Sequence, residues 1–282
     1  TLQFGEGISA NDLILISNGN DLVVGLKDKV NGEAREGALG QEGVAFADLA
    51  DKITITNWYH VNNKIENFVF GDGTELGTEN IIMVGSDGDD SITGINYGDN
   101  TITVESGDDT VSGSSNNDTI YGGADNDTIS GNAGNDTING GLGDDTLYGN
   151  TGADTIKGGA GDDLIVSDSE TSSQQNTPYN DILEGGTGND TLQGGAGDDT
   201  YIFNRGDGVD TIYDYDASTY YGSSHYNAGN DTLQFGEGIS ANDLILISNG
   251  NDLVVGIRED GITSWTDLTD RITITNWYNT NN

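Results

Sequence analysis

A nine-residue unit recurs through the middle of this chain and restricts the folds that it can adopt. In the stretch GGADNDTIS GNAGNDTIN GGLGDDTLY, each unit has glycine first, aspartate sixth (Asp127, Asp136, Asp145) and an aliphatic residue eighth. Such a unit is too short for a helical repeat. Positions seven to nine predict a three-residue strand with one inward side chain, and the glycines predict a tight turn. Two units then form one coil, and successive coils stack as parallel strands about 4.8 Å apart.

The sixth position is aspartate in almost every unit between residues 85 and 202. The predicted series is Asp90, Asp109, Asp118, Asp127, Asp136, Asp145, Asp154, Asp163, Asp181, Asp190 and Asp199, followed by Asp210. Asn100 is the exception, in the ten-residue unit GINYGDNTIT, and we expect it to weaken the first site on its edge. Residues 167–175 carry no motif, so they either loop out or fill one unit poorly.

Charge is the second constraint on this array. Residues 85–202 contain 23 acidic residues and a single base, Lys157, in a chain of net charge −39. Carboxylates stacked about 4.8 Å apart repel by roughly 0.9 kcal/mol in water and by about 3.5 kcal/mol at an effective dielectric of 20. Low hydrophobic content with high net charge is typical of disordered chains, but disorder does not produce a strict period. The array therefore predicts a fold that depends on neutralising its charge.

A hard divalent cation between the turns would reverse this repulsion. Calcium accepts six to eight oxygen ligands, and glycine-rich turns offer main-chain carbonyls beside each carboxylate. Magnesium requires octahedral geometry, and zinc prefers nitrogen or sulfur ligands. The chain has only two histidines, His60 and His225, and no cysteine. The pattern therefore predicts multiple calcium ions, about eight to ten, as the cofactor.

The pattern GGxGxDxUx resembles the RTX (repeats-in-toxin, haemolysin-type calcium-binding repeat) family over about residues 85–202. The resemblance implies an all-β, right-handed parallel β-roll that binds calcium. It also implies that each ion takes the carbonyls of positions two and four and the aspartate of one turn. Positions one and three and the aspartate two units later complete the shell. By that rule Asp127 and Asp145 share one ion, and Asp118 and Asp136 share another at the opposite edge.

The same rule adds turn residues to the predicted metal ligands. They are Ser114, Asn116, Gly122, Gly123, Ala124, Asp125, Gly131, Asn132, Ala133, Gly134, Gly140, Gly141, Leu142, Gly143, Gly149, Asn150, Thr151, Gly152, Gly158, Gly159, Ala160, Gly161, Gly185, Gly186, Thr187, Gly188, Gly194 and Ala196.

A second, longer repeat flanks the array. Residues 1–25 recur unchanged as residues 232–256, and DKITITNWY at 51–59 recurs as DRITITNWY at 270–278. The segment LILISNGNDLVV predicts a β-hairpin with Asn-Gly at its turn. We assign Trp58 and Trp277 to the core of these flanking parts. Residues 62–76, NNKIENFVFGDGTEL, resemble the end of a haemolysin-type related module.

These features divide the chain into three predicted parts. They are a β-rich N-terminal cap at 1–83, a β-roll at 84–202 with a loop insertion near 167–178, and a C-terminal capping module at 203–282. Residue 232 follows AGND, the front half of a nonamer, whereas nothing precedes residue 1. We therefore expect the chain to be a segment of a longer tandem array.

Composition argues against several classes of function. The acidic surface is a poor partner for nucleic acid, and no apolar run reaches the length of a membrane span. The chain has no H-E-x-x-H motif, no G-x-S-x-G motif and no cysteine nucleophile, so we do not expect an enzyme. The loop at 218–231, with three tyrosines and His225, leaves the binding of a sugar or a partner open.

The family resemblance implies a calcium-binding segment of a large secreted bacterial protein. Such a chain leaves the cell unfolded through the type I secretion machinery and folds outside, where calcium is abundant. Two alternatives stay open. One is a surface-adhesion or toxin-targeting module with a host-surface or carbohydrate ligand, and the other is an accessory module of a secreted hydrolase.

Overall fold

The protein is nearly all-β. A computed structural model describes residues 2–4, 13–18, 21–26, 29–30, 33–34, 52–55, 68–69, 81–96, 98–168, 178–213, 229–262 and 264–277. The strands are β1 Leu2–Gln3, β2 Leu13–Asn18, β3 Asp21–Leu26, β4 Lys29–Val30, β5 Glu33–Ala34, β6 Lys52–Ile55, β7 Phe68–Val69, β8 Ile81–Val84, β9 Ser91–Thr93, β10 Asn100–Thr103, β11 Thr110–Ser112, β12 Thr119–Ala124, β13 Thr128–Ala133, β14 Thr137–Leu142, β15 Thr146–Thr151, β16 Thr155–Ala160, β17 Leu164–Asp168, β18 Ile182–Thr187, β19 Thr191–Gln193, β20 Thr200–Phe203, β21 Val209–Ile212, β22 Thr232–Phe235, β23 Leu244–Asn249, β24 Asp252–Ile257 and β25 Arg271–Ile274. Two short 3-10 helices lie at Ala241–Asp243 and Trp265–Asp267.

Successive strands of the array alternate between two parallel sheets. The even-numbered strands from β8 to β22 follow one another in one sheet, and the odd-numbered strands from β9 to β21 follow one another in the other. In the central turns each residue pairs with the residue 18 positions further on, so that Ile120 lies beside Ile138. The predicted parallel β-roll of nonapeptide repeats is confirmed.

The core of the roll is a double column of eighth-position side chains. Ile120, Ile129, Ile138 and Leu147 are at most 1% exposed, and the column continues in both directions along the stack. Each such side chain contributes about 1.5–3 kcal/mol when it leaves water. One aliphatic residue per unit is a small core, so the edges of the turns have a large influence on stability.

The central strands are longer than the sequence predicted. β12 to β16 contain six residues each, because the chain stays extended through positions one to three of the next unit. Gly122, at position one, is buried, and Gly123 and Ala124 pair with Gly141 and Leu142 in the next turn. The predicted three-residue strand is found only at β9, β11 and β19 among the described units.

The strands on either side of the segment without a motif stay in register. Ser167 and Asp168 still belong to β17, where Asp168 pairs with Asn150, and the register resumes with Asp181. Residues paired across this point are 27 positions apart instead of 18, as at Ile156 and Leu183. The spacing between paired residues is therefore nine residues longer here, and the described strands keep their order in the stack.

The parallel ladder continues beyond residue 202. β21 pairs with β19, and β22 pairs with β20. Phe203, fully buried, makes an edge-to-face contact with Phe235 at a centroid distance of 6.4 Å. At the other end, β8 pairs with β10, so Ile81–Val84 opens the roll. The division of the chain into three parts stays a prediction.

The two flanking parts contain the same three-stranded antiparallel sheet. The order is β2-β3-β6 at the N-terminal end and β23-β24-β25 at the C-terminal end, and both predicted hairpins are present. Trp277 is 57% exposed, so its assignment to the core is wrong. The side chain sits in the turn that follows β25, beyond the last paired residue. Trp58 lies outside the described residues.

Candidate functional site

The sixth-position aspartates join successive turns of the roll. In each case Oδ1 accepts a hydrogen bond from the main-chain N–H of the sixth residue of the preceding turn. The N–H of Asp127 donates to Asp145 at 2.8 Å, and that of Asp118 donates to Asp136 at 2.7 Å. The structure thus brings together the two pairs that the resemblance grouped.

These hydrogen bonds form one ladder at each edge of the roll. The first edge carries Asp90, Asp109, Asp127, Asp145, Asp163, Asp190 and Asp210, and the second edge carries Asn100, Asp118, Asp136, Asp154, Asp181, Asp199 and Asp231. Asp231 was missed in the sequence. Its motif, AGND followed by Thr232 and Leu233, carried the signal, because it supplies positions three to eight of a unit.

In the described part of the chain, the second oxygen of nine aspartates is buried and has no hydrogen-bond partner. These atoms are Oδ2 of Asp109, Asp127, Asp136, Asp145, Asp154, Asp163, Asp181, Asp190 and Asp199. Their residues are at most 2% exposed. Leaving a buried polar atom without a partner costs about 1–3 kcal/mol, and more if it is charged. Nine such atoms in one stack fit ligands for a positively charged group.

Burial changes the protonation of these carboxyls. Loss of solvent raises the pKa of Asp127 to about 7, with a smaller contribution from the neighbouring charges of Asp145 and Asp109. The same cause raises the pKa of Asp154 to about 8 and that of Asp145 to about 6. A carboxyl held in this way binds protons near neutral pH unless a cation compensates for the lost water.

The first-position glycine and the next turn enclose each unpartnered oxygen. A Cβ atom at Gly122 would collide with Oδ2 of Asp127 and with the carbonyl oxygen of Gly140. The same crowding by an aspartate Oδ2 and a carbonyl of the next turn recurs at Gly140 and Gly158. The space beside Oδ2 is therefore lined by oxygen and closed to side chains.

The backbone at positions two and four directs further carbonyls toward the next turn. Asn132 and Gly134 have φ values of 77° and 122°, a left-handed conformation that glycine adopts at no steric cost and asparagine tolerates. The carbonyl oxygen of Gly123 faces Gly141 so closely that a Cβ there would overlap it. Each gap between turns thus receives carbonyls as well as carboxylates.

The carbonyl oxygens at position three already accept hydrogen bonds from the preceding turn. The carbonyl oxygens of Thr151 and Ala160 accept hydrogen bonds from the N–H groups of Gly134 and Gly143, at 3.0 and 2.8 Å. A carbonyl oxygen has two lone pairs, so one remains for a further partner. No sequence pattern predicts this hydrogen bond, because it forms only when two turns are stacked.

The oxygen atoms that surround each gap, the space between two successive turns at one edge, suit a hard cation as ligands. Among the described residues, no three acidic or histidine side chains converge on one point. A gap instead combines the free Oδ2 of one turn, such as that of Asp127, with Oδ1 of Asp145 and the carbonyl of Gly140. All of these donors are oxygen, which calcium prefers and zinc does not.

The N-terminal end of the second edge is built differently. Oδ2 of Asp118 accepts the Ser114 N–H at 2.5 Å, and its Oδ1 accepts the Asn100 side-chain amide at 2.7 Å. Neither Ser114 nor Asn116 has the left-handed backbone of the turns between residues 122 and 161. On the first edge, Oδ2 of Asp90 likewise accepts the Ser86 N–H at 2.6 Å. These predicted ligands have partners within the protein, unlike the nine free oxygens.

A second ladder, at position five, was missed in the sequence. The N–H of Asn126 donates to Oδ1 of Asp108, and the N–H of Asp144 donates to Oδ1 of Asn126, at 3.1 and 2.7 Å. This outer ladder runs in the opposite direction to the inner one and is exposed to solvent. The N–H of Ala153 donates to Oδ1 of Asn135, but Ala153 has no side-chain oxygen with which to continue the series.

The loop considered for ligand binding lies mostly outside the described residues. Of residues 218–231, only 229–231 are described, and Asp231 there belongs to the second edge. The alternative of sugar or partner binding at this loop therefore has no structural observation in its favour.

Comparison with protein families supports the geometric reading. The model of the RTX calcium-binding nonapeptide repeat (four copies) matches residues 95–129, 112–147, 139–170 and 176–210. The middle of this chain is an RTX calcium-binding repeat array. The model of the haemolysin-type calcium binding protein related domain matches residues 40–80, which include the segment that resembled such a module. No curated protein matches the chain. Within the described residues, no helix has the length and apolar character of a membrane span.

Proposed function

We propose that this RTX segment folds when calcium binds between its turns, at nine sites. Each site would use the free Oδ2 of one turn together with Oδ1 and the first-position carbonyl of the next. For one gap these are Oδ2 of Asp127, Oδ1 of Asp145 and the carbonyl of Gly140, with the carbonyls of Gly123 and Asp125 facing the same gap. Calcium supplies positive charge and a shell of six to eight oxygens at such a site.

The observation that carries this proposal is the set of nine buried oxygens without a partner. Asp210 and Asp231 close the last gap of each edge, so that every free Oδ2 faces a further turn with a carboxylate. Without a cation these carboxylates oppose folding, and the small core does not offset them. Calcium and folding are then coupled, as in other small metal-dependent domains.

Secretion follows from this coupling and from the family. RTX repeat proteins are typically secreted. A chain that stays unfolded where calcium is scarce remains suitable for export through a type I channel, and it folds where calcium reaches millimolar concentrations. We therefore place the segment outside the cell or at its surface, as a structural and not a catalytic part of its parent protein.

A calcium titration of the whole chain tests the proposal. We expect far-UV circular dichroism to show little β-structure in chelator and a cooperative gain with calcium, with about nine ions bound at saturation by calorimetry. Magnesium at the same concentration is the control and should give a much smaller gain, because it keeps its water ligands. Full β-structure in chelator, or an equal response to magnesium, would overturn the proposal.

A further inference from the structure

The two flanking sheets are built alike but are joined to the roll by different strands. Residues 232–256 repeat residues 1–25, and the registers of the two sheets coincide: Leu15 pairs with Val24, and Leu246 pairs with Val255. The third strands also match, because Val24 pairs with Ile53 and Val255 pairs with Ile272. One sequence therefore forms one structural unit, here called the flanking module, at both ends.

Each copy of the flanking module uses a different edge to contact the roll. At the N-terminal end, β2 pairs in parallel with β8, the opening strand of the roll, through Leu15–Met83 and Ile16–Val84. At the C-terminal end, β25 pairs in parallel with β21, a closing strand of the roll. In the strand orders β2-β3-β6 and β23-β24-β25, these are opposite edges of the module. Using one edge therefore leaves the other available.

The C-terminal copy leaves open the edge that the N-terminal copy has covered. Among the strands that the structure describes, β23, the equivalent of β2, is the last of its sheet. Leu246 on this strand, the equivalent of Leu15, is 67% exposed. Leu13 in β2 is buried, with 5% of its surface exposed, whereas its equivalent Leu244 is only half-buried. An apolar strand with a free edge is a surface that proteins usually cover.

We propose that the free edge of β23 receives the opening strand of another nonapeptide roll, so that one flanking module joins two rolls into a single stack. The incoming strand corresponds to Ile81–Val84 and pairs with Leu246 and Ile247, as β8 pairs with β2. The N-terminal copy shows that this edge accepts such a strand in parallel, and the C-terminal copy shows that the opposite edge holds a roll at the same time. This proposal rests on strand pairing and not on the assignment of the metal.

Charge favours a roll over a second β23 as the occupant. Residues 81–84, IIMV, carry no charge, and Met83 is fully buried beside the module. Direct pairing of two whole chains through β23 would bring together two molecules of net charge −39. A covalently attached roll also has a high effective concentration at the edge.

The proposal can be tested with a longer chain in which one flanking module, in its natural sequence, lies between two rolls. We call it the joined chain. Residues 1–256 are followed directly by residues 26–282, which is seamless because residues 232–256 repeat residues 1–25. The chain contains no cysteine, so a single Leu246→Cys substitution in the central module provides a unique reporter. Its reaction rate with a thiol reagent is compared with that of Leu246→Cys in the 282-residue chain, both in saturating calcium.

We expect the thiol in the joined chain to react at about one tenth of the rate in the 282-residue chain, or more slowly still. A covered site reacts only after local opening. Leu142→Cys, in the first roll, is the matched control. Leu142 is 60% exposed and distant from the module, so its rate should be equal in the two chains. Equal rates at Leu246 would overturn the proposal. So would a rate in the 282-residue chain that falls with protein concentration, because a second copy would then be the occupant.

Discussion

The main-chain N–H of Asp127 donates to Oδ1 of Asp145 at 2.8 Å, whereas Oδ2 of Asp145 has no hydrogen-bond partner. One oxygen of this carboxylate therefore ties two turns together, and the other faces Gly140 at the edge of the roll. A substitution that keeps the first contact and removes the charge separates the two roles.

Asp145→Asn makes that separation. The amide oxygen can still accept the Asp127 N–H, but the charge is lost from the gaps shared with Asp127 and Asp163. We expect the calcium midpoint for folding to rise roughly tenfold, equivalent to about 1.4 kcal/mol. Asp90→Asn is the control, since Oδ2 of Asp90 already accepts the Ser86 N–H, and its shift should be smaller. Dichroism titrations measure both midpoints, and equal values would contradict gaps shared between aspartates.

The first-position glycines should be intolerant of any side chain. In Gly140→Ala, the added methyl group would meet Oδ2 of Asp145 and the carbonyl of Gly158, although the backbone itself is not strained. We expect loss of one calcium ion by calorimetry and a destabilisation of about 1–3 kcal/mol.

Gly88→Ala provides the contrast for that variant. Its φ of 127° is unfavourable for alanine, but no atom lies within 4 Å of the added Cβ. It should therefore lower stability by about 1 kcal/mol and leave the number of bound ions unchanged. An unchanged ion count in Gly140→Ala as well would show that the glycine does not border a site.

Acid should stabilise the calcium-free fold. Burial raises the pKa of Asp154 to about 8 and that of Asp127 to about 7, compared with about 3.9 for an unfolded chain. The folded state therefore binds more protons than the unfolded chain between about pH 4 and pH 8, and its stability falls as pH rises through that window. In chelator, we expect more β-structure at about pH 5.5 than at about pH 8.

Calcium competes with these protons, so the pH dependence changes sign when calcium is present. The calcium midpoint should rise as pH falls from about 8 to about 6, because the carboxyls must lose their protons to bind the ion. Dichroism titrations at several pH values measure this shift. A midpoint that is constant over this range would argue against the buried carboxyls as ligands.

The outer ladder can be completed at one position. Ala153 is exposed and its N–H donates to Oδ1 of Asn135 at 3.0 Å, but its side chain offers no acceptor to the next turn. Ala153→Asn should supply the missing acceptor and stabilise the calcium-bound fold by about 0.5–1.5 kcal/mol in thermal unfolding. Ala153→Val, with no acceptor, is the control. Equal stability of the two variants would show that the outer ladder contributes nothing measurable.

The nine-residue period was sufficient to predict the roll and its edges. Ile129 and Ile138 are buried as expected, and Asp127 and Asp145 lie on the same edge. These features follow from local geometry, because a strand alternates its side chains and two units close one coil. Asp231 was within reach of the same pattern but was overlooked, because its unit lacks the opening glycines.

Other features depended on contacts between turns. Asp118 and Asp136 are aspartates at the same position of their units. The carboxylate of Asp118 accepts hydrogen bonds from Ser114 and Asn100, whereas Oδ2 of Asp136 has no partner. The identical hairpins at the two ends likewise pair with the roll through different strands, β2 and β25. The sequence by itself determined the period, the inward column of aliphatic residues and the carboxylates along two edges, because each is set within a single unit. Only the tertiary structure decided which oxygens lack a partner and which module edge stays open, because hydrogen bonds between stacked turns join residues 18 or more positions apart.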